Sequence, residues 1–169
     1  MSEESILCFG EIVWDALPEG IFLGGRRLIK KYNLNRLGRK AFPVSRLGDD
    51  FLGEETRRRL ESRSVPLDLV ETDPELPTGA VVVRLNDSGD ARYTICEPAA
   101  WDRIGFSEAL AGHADHAAAL VYGSLAMREE TNGKTLERLV ASISVRLCDV
   151  NLRAPFDDRD RVLHWARKA

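Results

Sequence analysis

Hydrophobic positions along the chain follow two patterns: short unbroken runs closed by glycine, and longer stretches where apolar residues recur every three or four positions. The first pattern predicts strands buried on both faces, the second helices with one buried stripe. Ser5-Ile-Leu-Cys-Phe9 before Gly10, Phe42-Pro-Val-Ser-Arg-Leu47 before Gly48, Ala118 to Tyr122 and Val145 to Val150 read as strands. A polar turn follows the first, and Ile21-Phe-Leu23 before Gly24-Gly25 reads as a short extended piece. Helices are expected over Arg26 to Leu37, ended by Gly38, and over Leu52 to Ser64, with Leu52, Thr56 and Leu60 on one side. Two more are expected over Thr131 to Ser144, with Leu136, Leu139, Val140 and Ile143 inward, and over Asp158 to Lys168, with Val162, Trp165 and Ala166 inward. Val65 to Pro77, rich in Pro and Asp, reads as loop or edge. Gly79 to Leu85, the turn Asn86-Asp-Ser-Gly-Asp90 and Ala91 to Ile95 predict a hairpin, because Asn, Asp and Gly supply the turn between two β-rich runs.

Buried strands alternating with helices pair in parallel through right-handed crossovers, so the expected fold class is α/β, a Rossmann-like parallel sheet with flanking helices. The hairpin has no helix between its strands and belongs outside that sheet, as a small antiparallel unit. No linker, low-complexity tract or repeat interrupts the 169 residues, so residues 1–169 read as a single domain. With 44% hydrophobic and 30% charged residues the chain suits a globular protein, and at this length about two-thirds of the unfolded surface can be buried without disulfide or metal. No apolar run approaches the ~20 residues that cross a bilayer, and Met-Ser-Glu-Glu-Ser is no export signal, so a cytoplasmic location is expected. Cys8, Cys96 and Cys148 contain no C-x-x-C pair and read as buried thiols of a reducing compartment.

A net charge of −3 gives no overall basic field for nucleic acid. One segment departs from that balance: Arg26, Arg27, Lys30, Lys31, Arg36, Arg39 and Lys40 occur with no acidic residue among them. This supports an alternative in which residues 26–40 bind an anionic partner, although no nucleic-acid motif accompanies them. In open parallel α/β sheets ligands bind beyond the carboxyl ends of the strands. Three segments meet that rule: Gly10-Glu11-Ile-Val-Trp14-Asp15, Gly24-Gly25, and Asp149-Val-Asn151-Leu-Arg153. A carboxylate accepts from vicinal hydroxyls, paired glycines let a ligand approach the backbone, and an arginine fork donates to oxygens. The set suits a polyhydroxylated or carboxylated small molecule; the plainer alternative makes Asp15 a cap and Asp149-Asn151-Arg153 a loop network. Gly133-Lys-Thr135 resembles the end of a phosphate-binding loop, but Arg128 stands where that loop needs glycine. His113-Ala-Asp115-His116 lacks a further ligand cluster and reads as an exposed helix end, so no metal site is assigned. Trp14, Trp101, Trp165 and His164 read as packing or surface residues, and Arg57-Arg58-Arg59 as a solvated helix face.

Cys8-Phe-Gly-Glu11 with Asp15, Leu23-Gly24-Gly25, Asn35-Arg-Leu-Gly38, Ser45-Arg-Leu-Gly48-Asp-Asp50 and Gly53 occur in a recognisable order. Glu97-Pro98-Ala-Ala-Trp101-Asp102, Val121-Tyr-Gly123-Ser124-Leu125 and Asp149-Val-Asn-Leu-Arg153 continue it. Together they resemble the amino-terminal half of the ribokinase-like (PfkB-type) carbohydrate kinases, fructokinase-like members above all, from Ile6 to the end. The resemblance implies a Rossmann-like body with a small β lid, near residues 16–25 and 78–96, that phosphorylates a sugar hydroxyl with ATP and magnesium. Such lids close over the sugar and in many members mediate dimers. On that likeness Asp15, Gly24 and Gly25 match sugar-contacting positions, Arg153 lies near the substrate in some relatives, and Tyr93 is a further contact on the lid.

Two departures accompany the match. Ile29 stands where an asparagine holds sugar hydroxyls, and Lys31 replaces a small buried side chain, which predicts an impaired pocket or a displaced helix. The family's nucleotide site, its Gly-Ala-Gly-Asp anion hole and its aspartate base belong to a carboxyl-terminal half, and no Gly-Ala-Gly-Asp occurs here. The expectation is a sugar-binding half with no catalytic residue of its own, inactive alone and binding neither ATP nor magnesium. Its alternative is a non-enzymatic remnant or interaction module. A sheet ending at Val145 to Val150 exposes one edge, which predicts self-association through that edge or through the lid.

Overall fold

The computed structural model describes residues 5–24, 40–85, 91–150 and 152–169. In chain order its strands are β1 (Ser5–Phe9), β2 (Val13–Leu17), β3 (Gly20–Gly24), β4 (Lys40–Gly48), β5 (Val70–Asp73), β6 (Gly79–Leu85), β7 (Ala91–Ile95), β8 (Ala117–Gly123) and β9 (Arg146–Asp149). The helices are α1 (Phe51–Glu61), α2 (Glu108–Ala114), α3 (Glu130–Ser142) and α4 (Arg159–Ala166), with short 3-10 turns at Ala100–Arg103 and Leu125–Arg128.

Five strands form one sheet in the order β5-β4-β1-β8-β9, every neighbouring pair parallel. The unbroken apolar runs occupy its centre, where Leu7, Phe9, Val44 and Leu120 are buried. A parallel strand with helices on both sides has no wet face, so alternation is absent from its sequence. The helices follow the 3.6 period. Asp50 caps α1 by accepting from Gly53 N at 2.8 Å, and Thr56 and Leu60 are buried. In α3 the inward residues Leu136 and Leu139 reach the main core. Asp158 caps α4, accepting from Arg161 N at 2.8 Å, and Val162 and Trp165 face in.

The remaining strands form a smaller sheet, β3-β2-β6-β7. The expected hairpin is its β6–β7 pair, but the sheet is mixed rather than antiparallel, because β2 runs parallel to β6. The polar turn expected after β1 is corrected to a strand. Gly10, at φ 142°, turns the chain out of β1, and Val13-Trp-Asp-Ala-Leu17 then pairs with β3 and β6. Trp14 has partners that local pattern does not reveal: its Nε1 donates to Thr56 Oγ1 at 2.8 Å and to Leu52 O at 3.2 Å.

Val65 to Pro77, expected as loop or edge, supplies the edge strand β5. The Arg57-Arg58-Arg59 run is not simply solvated. Arg57 donates to Val70 O, Glu71 O and Thr72 Oγ1, fastening α1 to β5, and Arg59 stacks 4.7 Å over the Trp14 ring. Of the three thiols expected to be buried, Cys8 is, Cys148 is half-buried and Cys96 is exposed. Among the described residues no helix is long and apolar enough to cross a membrane. The expected helix Arg26 to Leu37, with Ile29 and Lys31, lies outside the described residues, as do Gly25, the turn Asn86 to Asp90 and Asn151.

Candidate functional site

Strand register places Asp15 directly opposite Phe22 on β3 and Val81 on β6, so these side chains share one face of the small sheet. Val83 and Tyr93, paired across β6 and β7, lie on the same face. Val81, Val83 and Ile95 from that face join the main core, so it looks toward the large sheet. The opposite face carries Trp14, held by α1, and Leu23, packed against the second apolar cluster that includes Leu47 and Leu60. Asp15 is therefore oriented by its neighbour: Trp14 is fastened outward, and alternation turns the carboxylate inward.

Asp15 lies against Gly24. A Cβ at Gly24 would fall 2.7 Å from Asp15 Cγ and overlap its Oδ2, so only glycine fits beneath this carboxylate. Burial raises the Asp15 carboxyl above the ordinary carboxylate range, while the Arg153 guanidinium pulls the other way without overcoming it. Arg153, on the segment after β9, also lies 5.8 Å from the centroid of the Tyr93 ring and donates to Leu152 O at 3.0 Å. Tyr93 is 53% exposed. The fold thus assembles Asp15, Gly24, Tyr93 and Arg153, drawn from β2, β3, β7 and the segment after β9, at one place; Gly25 lies outside the described residues.

Phe22 belongs with them and was not singled out from sequence. It is 48% exposed beside Asp15, and only the β2–β3 register, a pairing no local pattern contains, puts it there. The start of β6 is tied down by the Gly48-Asp-Asp50 motif. Asp50 Oδ2 accepts from Thr78 N at 2.7 Å, and Thr78 Oγ1 accepts from Gly48 N at 2.9 Å. Burial opposes ionisation of Asp50, but hydrogen bonds from Thr78, Gly53 and Leu52 prevail and lower its pKa.

The other motifs have packing and hydrogen-bond partners within the fold. Gly133 lies within α3 with the Trp165 ring 3.2 Å from where a Cβ would sit, Lys134 pairs with Glu130, and Thr135 Oγ1 donates to Ile104 O. His113 ends α2 and packs edge-on against Phe42, with ring centroids 4.7 Å apart. Trp14, Trp101 and Trp165 are buried and His164 is exposed. Among the described residues no group of three or more His, Cys, Asp or Glu side chains could hold a metal ion. A carboxylate over bare backbone, a guanidinium and two exposed aromatic rings can accept from, donate to and stack on a polyol.

Residues 29–169 match the pfkB family of carbohydrate kinases. No curated protein matches the chain significantly. Among solved structures, a sugar kinase from Pyrococcus horikoshii is similar at 22% identity and a TM-score of 0.82, over 95% of this chain and 62% of that one. A fructokinase from Vibrio cholerae is similar at 20% identity and a TM-score of 0.82, over 99% of this chain and 62% of that one. A fructokinase from Xylella fastidiosa is similar at 21% identity and a TM-score of 0.80, over 95% and 56%. The chain thus spans about three-fifths of these relatives' length. The Pyrococcus kinase is also known in complex with ATP, and the Vibrio fructokinase with fructose, ADP and calcium ion bound.

Proposed function

Since the chain belongs to the pfkB family of carbohydrate kinases, we propose that its residues form the sugar-binding half of a kinase acting on a fructose-like sugar. The observation that carries this reading is the Asp15 carboxylate lying on the bare backbone of Gly24, with Arg153 close enough to perturb its ionisation. In this reading Asp15 accepts hydrogen bonds from vicinal sugar hydroxyls and Gly24 gives the ring room against the backbone. Arg153 donates to a sugar oxygen, and Tyr93 and Phe22 flank the ring from the small sheet, which serves as the lid. Gly25, outside the described residues, is proposed as a sugar contact on the family likeness alone. The sugar is held and oriented, and closure of the lid excludes water from its reacting hydroxyl.

ATP with magnesium supplies the phosphoryl group in the family, and the side chains described here do not fit it. They offer no metal-binding cluster, and the 169 residues contain no Gly-Ala-Gly-Asp to cradle the developing charge. No transfer step is assigned to this chain. Anion hole and base come, in this proposal, from residues other than these 169, and these 169 alone are inactive. The setting that suits it is the cytoplasm, where its thiols stay reduced.

Calorimetric titration tests the proposal. Fructose binds the chain, Asp15→Ala abolishes the binding, and magnesium-ATP gives no heat of binding. Failure to bind fructose, or binding indifferent to Asp15, refutes the half-site; clear ATP binding refutes the assignment of the nucleotide site to residues other than these 169.

A further inference from the structure

We infer that Arg128 is a positioning residue, which fixes the root of the small sheet against the turn that carries Arg153 and so sets how Asp15 and Arg153 face each other. Arg128 ends the 3-10 turn that follows β8, and its side chain is only 2% exposed. Its Nε donates to Asp102 Oδ1 at 2.7 Å and its Nη2 to Asp102 Oδ2 at 2.6 Å, a bidentate pair. Asp102 Oδ2 also accepts from Ala99 N at 2.9 Å, so the carboxylate is held in place from its own turn.

The guanidinium lies between two rings, 4.0 Å from the centroid of Trp101 and 4.8 Å from that of Phe156. Each ring leads to one side of the candidate site. Trp101 packs on Gly79, the first residue of β6, where a Cβ would fall 2.5 Å from Trp101 Cδ1. Ala100 N donates to Pro77 O at 2.8 Å, closing the same junction. Where the chain leaves β7, Arg128 Nη2 reaches Cys96 O at 3.5 Å and Nη1 lies 3.8 Å from Glu97 Oε2. Arg128 therefore braces the β6–β7 pair where it begins and where it ends. On its other side, Phe156 N donates to Arg153 O at 2.6 Å, so the ring beneath the guanidinium anchors the turn of Arg153.

Asp15 rides on β2, which pairs with β6, and Arg153 rides on the Phe156 turn; one planar cation joins the two supports. A lysine there keeps the charge but has neither the fork for both oxygens of Asp102 nor a flat face for two rings. Arg128 itself is given no contact with sugar, and the inference rests on the sugar-binding reading only for its second readout.

The test is Arg128→Lys, with the Asp15 carboxyl titrated by NMR and fructose affinity measured on the same samples. Release of the Arg153 turn removes the opposing influence on Asp15, so the Asp15 pKa rises further in the variant, and fructose affinity falls about tenfold or more. A residue that merely stabilises the fold would lower the unfolding midpoint and leave the Asp15 titration of the folded protein unchanged; that result overturns the inference. Should Arg128→Lys not fold, Phe156→Leu, which loosens the Arg153 side of the brace alone, is held to the same two outcomes. If the wild-type chain binds no fructose, the sugar-binding proposal fails, and the Asp15 titration by itself still decides the role of Arg128.

Discussion

At Asp15 burial and the Arg153 charge act in opposite directions, and burial prevails. An acid whose pKa is raised in the folded state holds its proton more tightly there than in the unfolded chain. Its ionisation therefore opposes folding above that raised value, and the penalty disappears as pH falls through it. Asp15→Asn accordingly keeps or raises the thermal midpoint at pH 7 while abolishing fructose binding; a lowered midpoint with binding intact would contradict the assignment. In the wild-type chain fructose affinity declines as pH falls through the raised Asp15 pKa, which begins above the ordinary value of 3.8. Asp50 and Asp73 have the opposite sign. Burial resists their ionisation, but backbone hydrogen bonds outweigh it and lower both, so their contribution is complete above 3.8 and is lost as pH falls through the lowered values. Asp15, Gly24 and Arg153 were legible as residues because carboxylate, glycine and arginine are chemically distinctive wherever they stand. Phe22 was not, since an aromatic in an apolar run carries no mark of which face it takes.

Among elements, those marked by an unbroken apolar run or by turn residues between β-rich runs were readable from local pattern, as β1, β8 and the hairpin β6–β7 illustrate. Strand β2 was not, because Val-Trp-Asp-Ala-Leu alternates on a sheet whose other strands come from elsewhere in the chain, and its pairing with β6 spans a long sequence separation. Helix α4 is held to the large sheet by a contact of the same long-range kind. Tyr122 on β8 donates through its hydroxyl to Trp165 O at 2.8 Å, and burial pushes that hydroxyl up to about 12. Tyr122→Phe keeps the ring and removes the bond, so urea denaturation is expected to show a loss of about 1 kcal/mol with the far-ultraviolet spectrum unchanged. An unchanged midpoint would mean that α4 is held by the apolar contacts of Val162 and Trp165 alone.

Over the whole molecule, the large sheet ends at β9, and Val145 and Leu147 beside this edge are 57% and 53% exposed, with Val150 and Leu152 also exposed. An edge strand with apolar neighbours is a template for further pairing. The wild-type chain should therefore self-associate in sedimentation velocity, and Leu147→Lys should shift it toward monomer with little change in thermal midpoint, because the side chain is already in water. A wild-type monomer at all concentrations would show that this edge is protected. The sequence by itself determined the alternation of buried strands and helices and the chemical character of the candidate residues, because these depend on side-chain periodicity and functional groups within a few positions. The tertiary structure alone decided that β2 is a strand, that the small sheet is mixed, that Asp15 lies on Gly24 and that Arg153 comes within its electrostatic reach. Each of these joins segments far apart in the chain, and such contacts are set by which surfaces pack together, a property no local window of residues contains.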